Sequence, residues 1–212
     1  PSKLSYKNLV KQFPWKKNIY ITGNTIVDSA TLAYNIKENV PPPKNEHYGI
    51  ISIHRHENLS SKIRMQKIIK ILVEASKHIK LYFFMYNNTY LALKKYNLYR
   101  YLENKDNIII TDPLDYLSFI KWIANSKIIL TDGGSIQEES LIFGIPTVLL
   151  RLRTERVEGL HTGLNYLSRL NIGKTIEKIK EFLEYKVPKK VENPYGKPGV
   201  SKKIVEILKK YD

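Results

Sequence analysis

Short apolar runs alternate with helical patterns along most of this 212-residue chain, and that alternation limits its fold more than any other feature. Tyr48 to Ile53, Leu81 to Met85, Asn107 to Ile110, Ile128 to Leu130 and Thr147 to Leu150 read as strands. Between and around them lie helical stretches over Val27 to Asn39, Ile63 to Ile79, Tyr90 to Leu102, Tyr116 to Ala124 and Ile136 to Phe143. In the second of these, Ile68, Ile71, Leu72 and Ala75 share one face. A short strand at Ile19 to Ile21 precedes the set, and helices over Thr175 to Tyr185 and Ser201 to Lys210 follow it. Apolar strands bounded by helices imply a parallel sheet covered on both faces. The expected fold is α/β, a doubly wound Rossmann-like sheet from about residue 44. Pro41-Pro42-Pro43 form a stiff spacer, which divides residues 1–43 from a sheet domain at 44–212.

In such sheets ligands sit at the carboxyl ends of the strands. The chemically unusual residues do follow strands: His54 to Asn58, Asp112 to Tyr116, Thr131 to Glu139 and Arg151 to Arg156. Gly133-Gly134-Ser135 joins a strand to a helix start. Glycines allow close approach of a ligand to the backbone, and free N–H groups and the helix dipole favour an anion such as a phosphate. Glu138 and Glu139 in the first turn complement the dipole or accept hydrogen bonds from sugar hydroxyls. Taken alone, the turn fits a ligand site and an ordinary βα connection equally well.

The chain has no cysteine, which excludes disulfides, thiolate metal sites and a cysteine nucleophile. No run of about 18 apolar residues suggests a membrane span. The first residues lack the apolar core of a signal peptide, so the expected setting is cytoplasmic. A formal charge of +15 fits either a nucleic-acid or acidic-membrane binder, or a lysine-rich composition without meaning at the site. The lysines are scattered in pairs such as Lys94-Lys95 and Lys189-Lys190 rather than in one block, which favours the second reading.

Six elements appear in a telling order: Thr22-Gly23-Asn24 followed by Asp28, His54-Arg55-x-Glu57-Asn58, Pro113-Leu114-x-Tyr116, Thr131 to Glu139, Arg151-x-x-Thr154-Glu155-Arg156-x-Glu158, and Asn193-Pro194-Tyr195-Gly196. Together they resemble the UDP-N-acetylglucosamine 2-epimerase family over nearly the whole chain. The resemblance implies the C-terminal, UDP-binding half of a GT-B type fold, with residues 1–43 as the end of a first domain and the joint. It implies inversion at C2 of UDP-GlcNAc. UDP is eliminated to leave a 2-acetamidoglucal, and then UDP or water is added to give UDP-ManNAc, or ManNAc plus UDP. The first domain, whose acidic acid/base residues have no match here, would be required for turnover. Neither a metal nor a cofactor is implied, and a homodimer is the expected assembly. The alternatives are a GT-B glycosyltransferase-like protein using a UDP-sugar and a basic nucleic-acid-binding module.

The resemblance assigns His54 a catalytic role, as phosphate donor or proton shuttle. It assigns UDP contacts to Arg55, backbone groups near Pro113, the amides of Gly133, Gly134 and Ser135, Glu139 on the ribose, and Arg156. Arg55 has a competing pairing with Glu57, Arg156 with Glu155 or Glu158, and Tyr116 is expected in the core. Three departures from the family pattern stand out. Gly133-Gly134-Ser135 replaces Ser-Gly-Gly, so the hydroxyl moves to a helix-capping position. Val157 replaces a proline. Tyr86-Asn87 stands where bacterial non-hydrolysing members place a histidine of an allosteric pocket, so activation of that type is expected to be absent or altered.

Overall fold

A computed structural model describes residues 1–184 and 192–211. Its centre is a six-stranded, wholly parallel sheet formed by β1 (Tyr48–Ser52), β2 (Lys80–Phe84), β3 (Ile108–Thr111), β4 (Ile128–Thr131), β5 (Thr147–Leu149) and β6 (Asn165–Leu167), in the order β3-β2-β1-β4-β5-β6. This is the doubly wound Rossmann order, so the expected fold class is the one observed.

The strands are apolar on both faces because both are covered. Ile51, Leu81, Phe83, Leu130 and Val148 join one core with Met65, Ile68, Ile71 and Leu72 of α4 (Lys62–Ala75) and Ile179 and Phe182 of α9 (Ile172–Glu184). Ile50 and Ile129 point the other way, as alternation along a strand requires. They pack with Ala30 and Ala33 of α2 (Ile26–Asn35), Ile120, Trp122 and Ile123 of α7 (Tyr116–Asn125), and Ile136 of α8 (Ile136–Ile142). The segment before β1 is fastened to this second face. Ser118 Oγ accepts the amides of Asn39 and Val40 at 3.2 and 3.0 Å, and Trp122 Nε1 donates to the Val40 carbonyl at 3.0 Å.

Several local expectations change. Ile19 to Ile21 forms no strand. No neighbouring strand offers it a ladder, and the Ile21 carbonyl accepts Lys203 Nζ at 2.6 Å instead. The helix expected over Tyr90 to Leu102 divides into α5 (Asn87–Lys95) and α6 (Arg100–Glu103). Asn97 adopts φ 59°, and the Asn97 and Leu98 amides return to the Lys94 and Leu93 carbonyls at 3.0 and 2.8 Å. That is the helix stop in which a left-handed Asn replaces glycine and two leucines, Leu93 and Leu98, seal the turn. Elements absent from the sequence reading are α1 (Lys3–Gln12), capped by Ser2, the one-turn helix α3 (His56–Leu59), a 3-10 segment at Val157–Thr162, and β6. The expected helix end at Tyr185 lies outside the described residues.

The last helix, α10 (Val200–Leu208), is anchored to the opening segment. Asp28 accepts the amides of Gly199 and Ser201, each at 2.6 Å, and of Val200 at 3.2 Å. Hydrogen bonds from Ser201 and its neighbours hold the Asp28 carboxyl at about 2. Beside it, the Asn24 amide donates to the Tyr195 carbonyl at 2.9 Å. The Thr22-Gly23-Asn24 and Asn193 to Gly196 elements are thus one structural unit.

Candidate active site

The strand order reverses between β1 and β4, and the connections that follow them diverge to opposite faces. A crevice opens at such a switch point. Asp132, wholly buried just after β4, closes its floor. Its Oδ1 accepts the His54 amide at 2.9 Å. Its Oδ2 accepts the Arg55 amide at 3.1 Å and Asn58 Nδ2 at 2.9 Å. Asn58 Nδ2 also donates to the Leu150 carbonyl at 3.0 Å, so the loops after β1, β4 and β5 share one network. Burial pushes the Asp132 carboxyl up, while the His54 amide and Asn58 pull the other way. The half-exposed His54 imidazole has Nδ1 3.8 Å from Asp132 Oδ1, and its ring centroid is 5.4 Å from that of Tyr86.

The twin-glycine bend sits directly against these groups. A Cβ on Gly133 would lie 3.2 Å from His54 Cε1, and one on Gly134 would lie 2.9 Å from Arg55 Nη2 and 3.1 Å from Arg156 Nη1. Glycine is therefore what lets the guanidinium groups close on the backbone. Thr131 Oγ1 fixes the bend by accepting the Gly133 amide at 2.9 Å and donating to the Ser52 carbonyl at 2.8 Å. Ser135 is exposed, and its hydroxyl makes no capping bond, contrary to the capping alternative. Its carbonyl instead accepts the amides of Glu138 and Glu139 at 2.8 and 2.9 Å.

The loop after β5 brings in the arginines. Gln137 Nε2 donates to the Gly133 carbonyl at 3.3 Å, Thr154 Oγ1 to Gln137 Oε1 at 3.1 Å, and the Arg156 amide to Thr154 Oγ1 at 3.2 Å. This chain of bonds ties Arg156 to the bend. Arg156 Nε pairs with Glu138 Oε1 at 2.9 Å, and Arg156 Nη1 with Glu155 Oε1 at 2.7 Å. The same Glu155 oxygen takes Arg55 Nη2 at 3.2 Å, and the other lies 3.1 Å from Nη1 of the buried Arg151. Arg151 Nη2 reaches Glu57 at 3.2 Å. The expected alternative pairing of Arg55 with Glu57 is replaced by this arrangement, in which Arg151 takes Glu57 and Glu155 takes Arg55. Burial pushes the Glu138 carboxyl up against the pull of Arg156. For Glu155, burial is outweighed by its own backbone amide and the three arginines, and its carboxyl is held low.

Glu139 is only 3% exposed, and burial raises its pKa to about 7, with Glu138 adding to the rise and the Tyr116 phenol opposing it. Tyr116 is 42% exposed and faces this carboxylate rather than packing in the core. It opens α7 at the rim, where Asp115 caps the helix. Pro113 follows β3, three strand spacings from β4, or roughly 14 Å across the sheet. It lies on the same edge as the other residues but apart from the cluster of His54, Arg55, Gly133, Gly134 and Arg156. A wider cleft of about 950 Å³ opens to the side, between Ser2, Gly23, Glu158 and Asn193.

The motifs give no site role to Asp132, Asn58 or Glu155, and Arg151 is a motif arginine whose contact they leave open. The polar residues among strand-end motifs were visible. What was hidden was that three of these four are buried and that their partners come from other loops.

A wholly parallel doubly wound sheet with guanidinium groups, an imidazole and glycine backbone gathered at its switch point defines a Rossmann-type domain with a polar cluster where the strand order reverses. A model of the UDP-N-acetylglucosamine 2-epimerase family matches residues 1–209, and the chain belongs to that family. It is 34% identical to UDP-N-acetylglucosamine 2-epimerase of Methanocaldococcus jannaschii over 98% of this chain and 59% of that protein. It is 28% identical to the Bacillus subtilis enzyme of the same name, over 98% and 56%. The M. jannaschii enzyme in complex with UDP-GlcNAc and UDP superimposes with a TM-score of 0.89 at 30% identity, over 99% of this chain and 60% of that one. An S. aureus MnaA–UDP structure gives 0.85 at 28% identity, over 100% and 59%. The chain thus spans about 60% of the length of these relatives. Among the described residues, no helix is long and apolar enough to cross a membrane.

Proposed function

We propose that this chain is the UDP-binding half of a UDP-GlcNAc 2-epimerase, with residues 1–43 as the end of a first domain and joint and 44–212 as the nucleotide domain. The observation that carries the reading is the meeting of His54, Arg55, the Gly133-Gly134 bend and Arg156 at one switch point. The Gly133 amide, expected as a donor, is committed to Thr131 Oγ1, which leaves the amides of Gly134 and Ser135 for the diphosphate. Arg55 and Arg156 neutralise it, and Glu139 accepts from the ribose hydroxyls. Backbone near Pro113 meets the uracil at the rim. In the reaction the C2 proton is removed, the C1–O bond breaks, and the electron pair leaves with UDP. The C2–H pair becomes the C1=C2 bond of the glucal. UDP or water then adds at C1 while a proton is delivered to the opposite face of C2, and that protonation completes the inversion. The domain's contribution is to stabilise the charge that grows on the diphosphate in the transition state. His54 donates to a phosphate oxygen or relays a proton. Association of two copies and a cytoplasmic setting belong to the same proposal.

Calorimetric titration with UDP tests it. Arg156→Ala and Glu139→Ala are each expected to weaken binding at least several-fold, and unchanged affinity in both would reject the pocket. Little or no epimerase turnover is expected from these 212 residues without a first domain. Transfer of sugar to an acceptor would favour a glycosyltransferase. Salt-sensitive binding to DNA or RNA that survives His54→Ala and Glu139→Ala would favour a nucleic-acid module.

A further inference from the structure

The arginine cluster beside the twin-glycine bend is formally neutral in a chain that carries +15 overall. Arg55, Arg151 and Arg156 are matched by Glu57, Glu138 and Glu155. The three carboxylates are not equivalent. Glu138 is buried in α8, and the Glu57 carboxylate pairs with Arg151. Glu155 touches all three guanidinium groups, and one of its oxygens bridges Arg55 Nη2 and Arg156 Nη1. Those two nitrogens are the ones that stand 2.9 and 3.1 Å from the Cβ position of Gly134. A single anionic oxygen therefore already sits between the two arginines that face the bend. Its side chain is half exposed, so it can turn out to water without leaving a buried charge.

We infer that Glu155 is a built-in stand-in for a phosphate, which holds Arg55 and Arg156 in place when the crevice is empty and must be displaced by the ligand's diphosphate. This rests on the nucleotide reading above and deepens it by naming the residue that sets anion selectivity. While Glu155 stays in place, the bend faces a neutral cluster. An entering ligand recovers the pull of both arginines only if it carries enough negative charge to replace the carboxylate. Uridine cannot do so, and UDP can. Arg151 keeps Glu57 as a partner when Glu155 turns away, so the buried guanidinium is never left unpaired.

The test compares UDP and uridine binding to the 212-residue chain and to Glu155→Gln by calorimetry at constant ionic strength. Glutamine keeps the shape and removes the competing charge. The expected result is UDP binding tightened about five-fold, the scale of one half-exposed charge pair, with uridine unchanged. A residue that only props up the arginines would weaken UDP binding on substitution. UDP affinity that is unchanged or lower in Glu155→Gln, with native unfolding behaviour by circular dichroism, overturns the role of Glu155 alone. If Glu155→Gln misfolds, Glu155→Asp is the second arm. Its shorter reach breaks the bridge to Arg55 and Arg156 and is expected to move UDP affinity upward and uridine not at all, and no such change counts against the role. Failure of the unsubstituted chain to bind UDP overturns both this inference and the nucleotide reading.

Discussion

The His54 amide donates to Asp132 Oδ1 at 2.9 Å, and the imidazole of the same residue stands 3.8 Å from that oxygen. One buried carboxylate thus fixes the backbone of the histidine and lies close to its ring without a hydrogen bond to it. Asp132→Asn offers one acceptor oxygen where two served three donors. We expect it to cost about 1–3 kcal/mol, the scale of leaving a buried donor unsatisfied. Urea unfolding measures this directly, and an unshifted midpoint would mean the loops after β1 and β4 are held by something else.

Glu139 gives the domain a pH signature. Its folded pKa of about 7 exceeds the ordinary 4.5, so the folded state holds the proton more tightly than the unfolded chain. Stability is then unaffected below about 4.5, declines as pH rises towards 7, and stays reduced above. Glu139→Gln removes the titration. We expect the variant and the unsubstituted chain to match near pH 4.5 and to diverge by up to about 3 kcal/mol in favour of the variant by pH 8. Denaturant unfolding at the two pH values checks it, and parallel curves would show that the carboxylate is not desolvated.

At Gly134 the obstacle to a side chain is two flexible guanidinium ends. Gly134→Ala should fold with little change in Tm while pushing Arg55 and Arg156 off the bend. UDP affinity is expected to fall about ten-fold, the worth of a charge-assisted hydrogen bond. A calorimetric titration that finds wild-type affinity would separate these arginines from the ligand.

Gly23 is obstructed in a different way. Its φ is +98°, and an added Cβ would lie 2.8 Å from the Tyr195 carbonyl oxygen, which is backbone and cannot swing aside. Gly23→Ala is expected to cost about 1–3 kcal/mol from backbone strain alone. Thermal unfolding reports it. A neutral effect would mean that the contact with Tyr195 is dispensable.

Much of this architecture was legible from residue order. The apolar strand runs and the helical face of Ile68, Ile71, Leu72 and Ala75 give the parallel sheet, because burial on both faces leaves no other pattern. The family motifs gave His54, Arg55, Gly133, Gly134 and Arg156, which meet at the switch point. The failures have physical causes. Ile19 to Ile21 has the composition of a strand but no ladder partner. Asn97 ends a helix by adopting a conformation more often taken by glycine. The three-residue β6, opened by Asn165 and only half-buried at Tyr166 and Leu167, is too short to carry a periodic signal. Glu155 looked like a simple partner for Arg156, since nothing in the order of residues reveals that Arg55 and Arg151, from other loops, converge on it.

The capping of α10 by Asp28 and the docking of Gly23 against Tyr195 have a mechanical consequence. Two stretches about 170 residues apart in sequence behave as one clasp. Because α2 is itself packed on the sheet, the short polar bonds from Asp28 pin α10 to the same body, so the opening segment and the last helix are held as one.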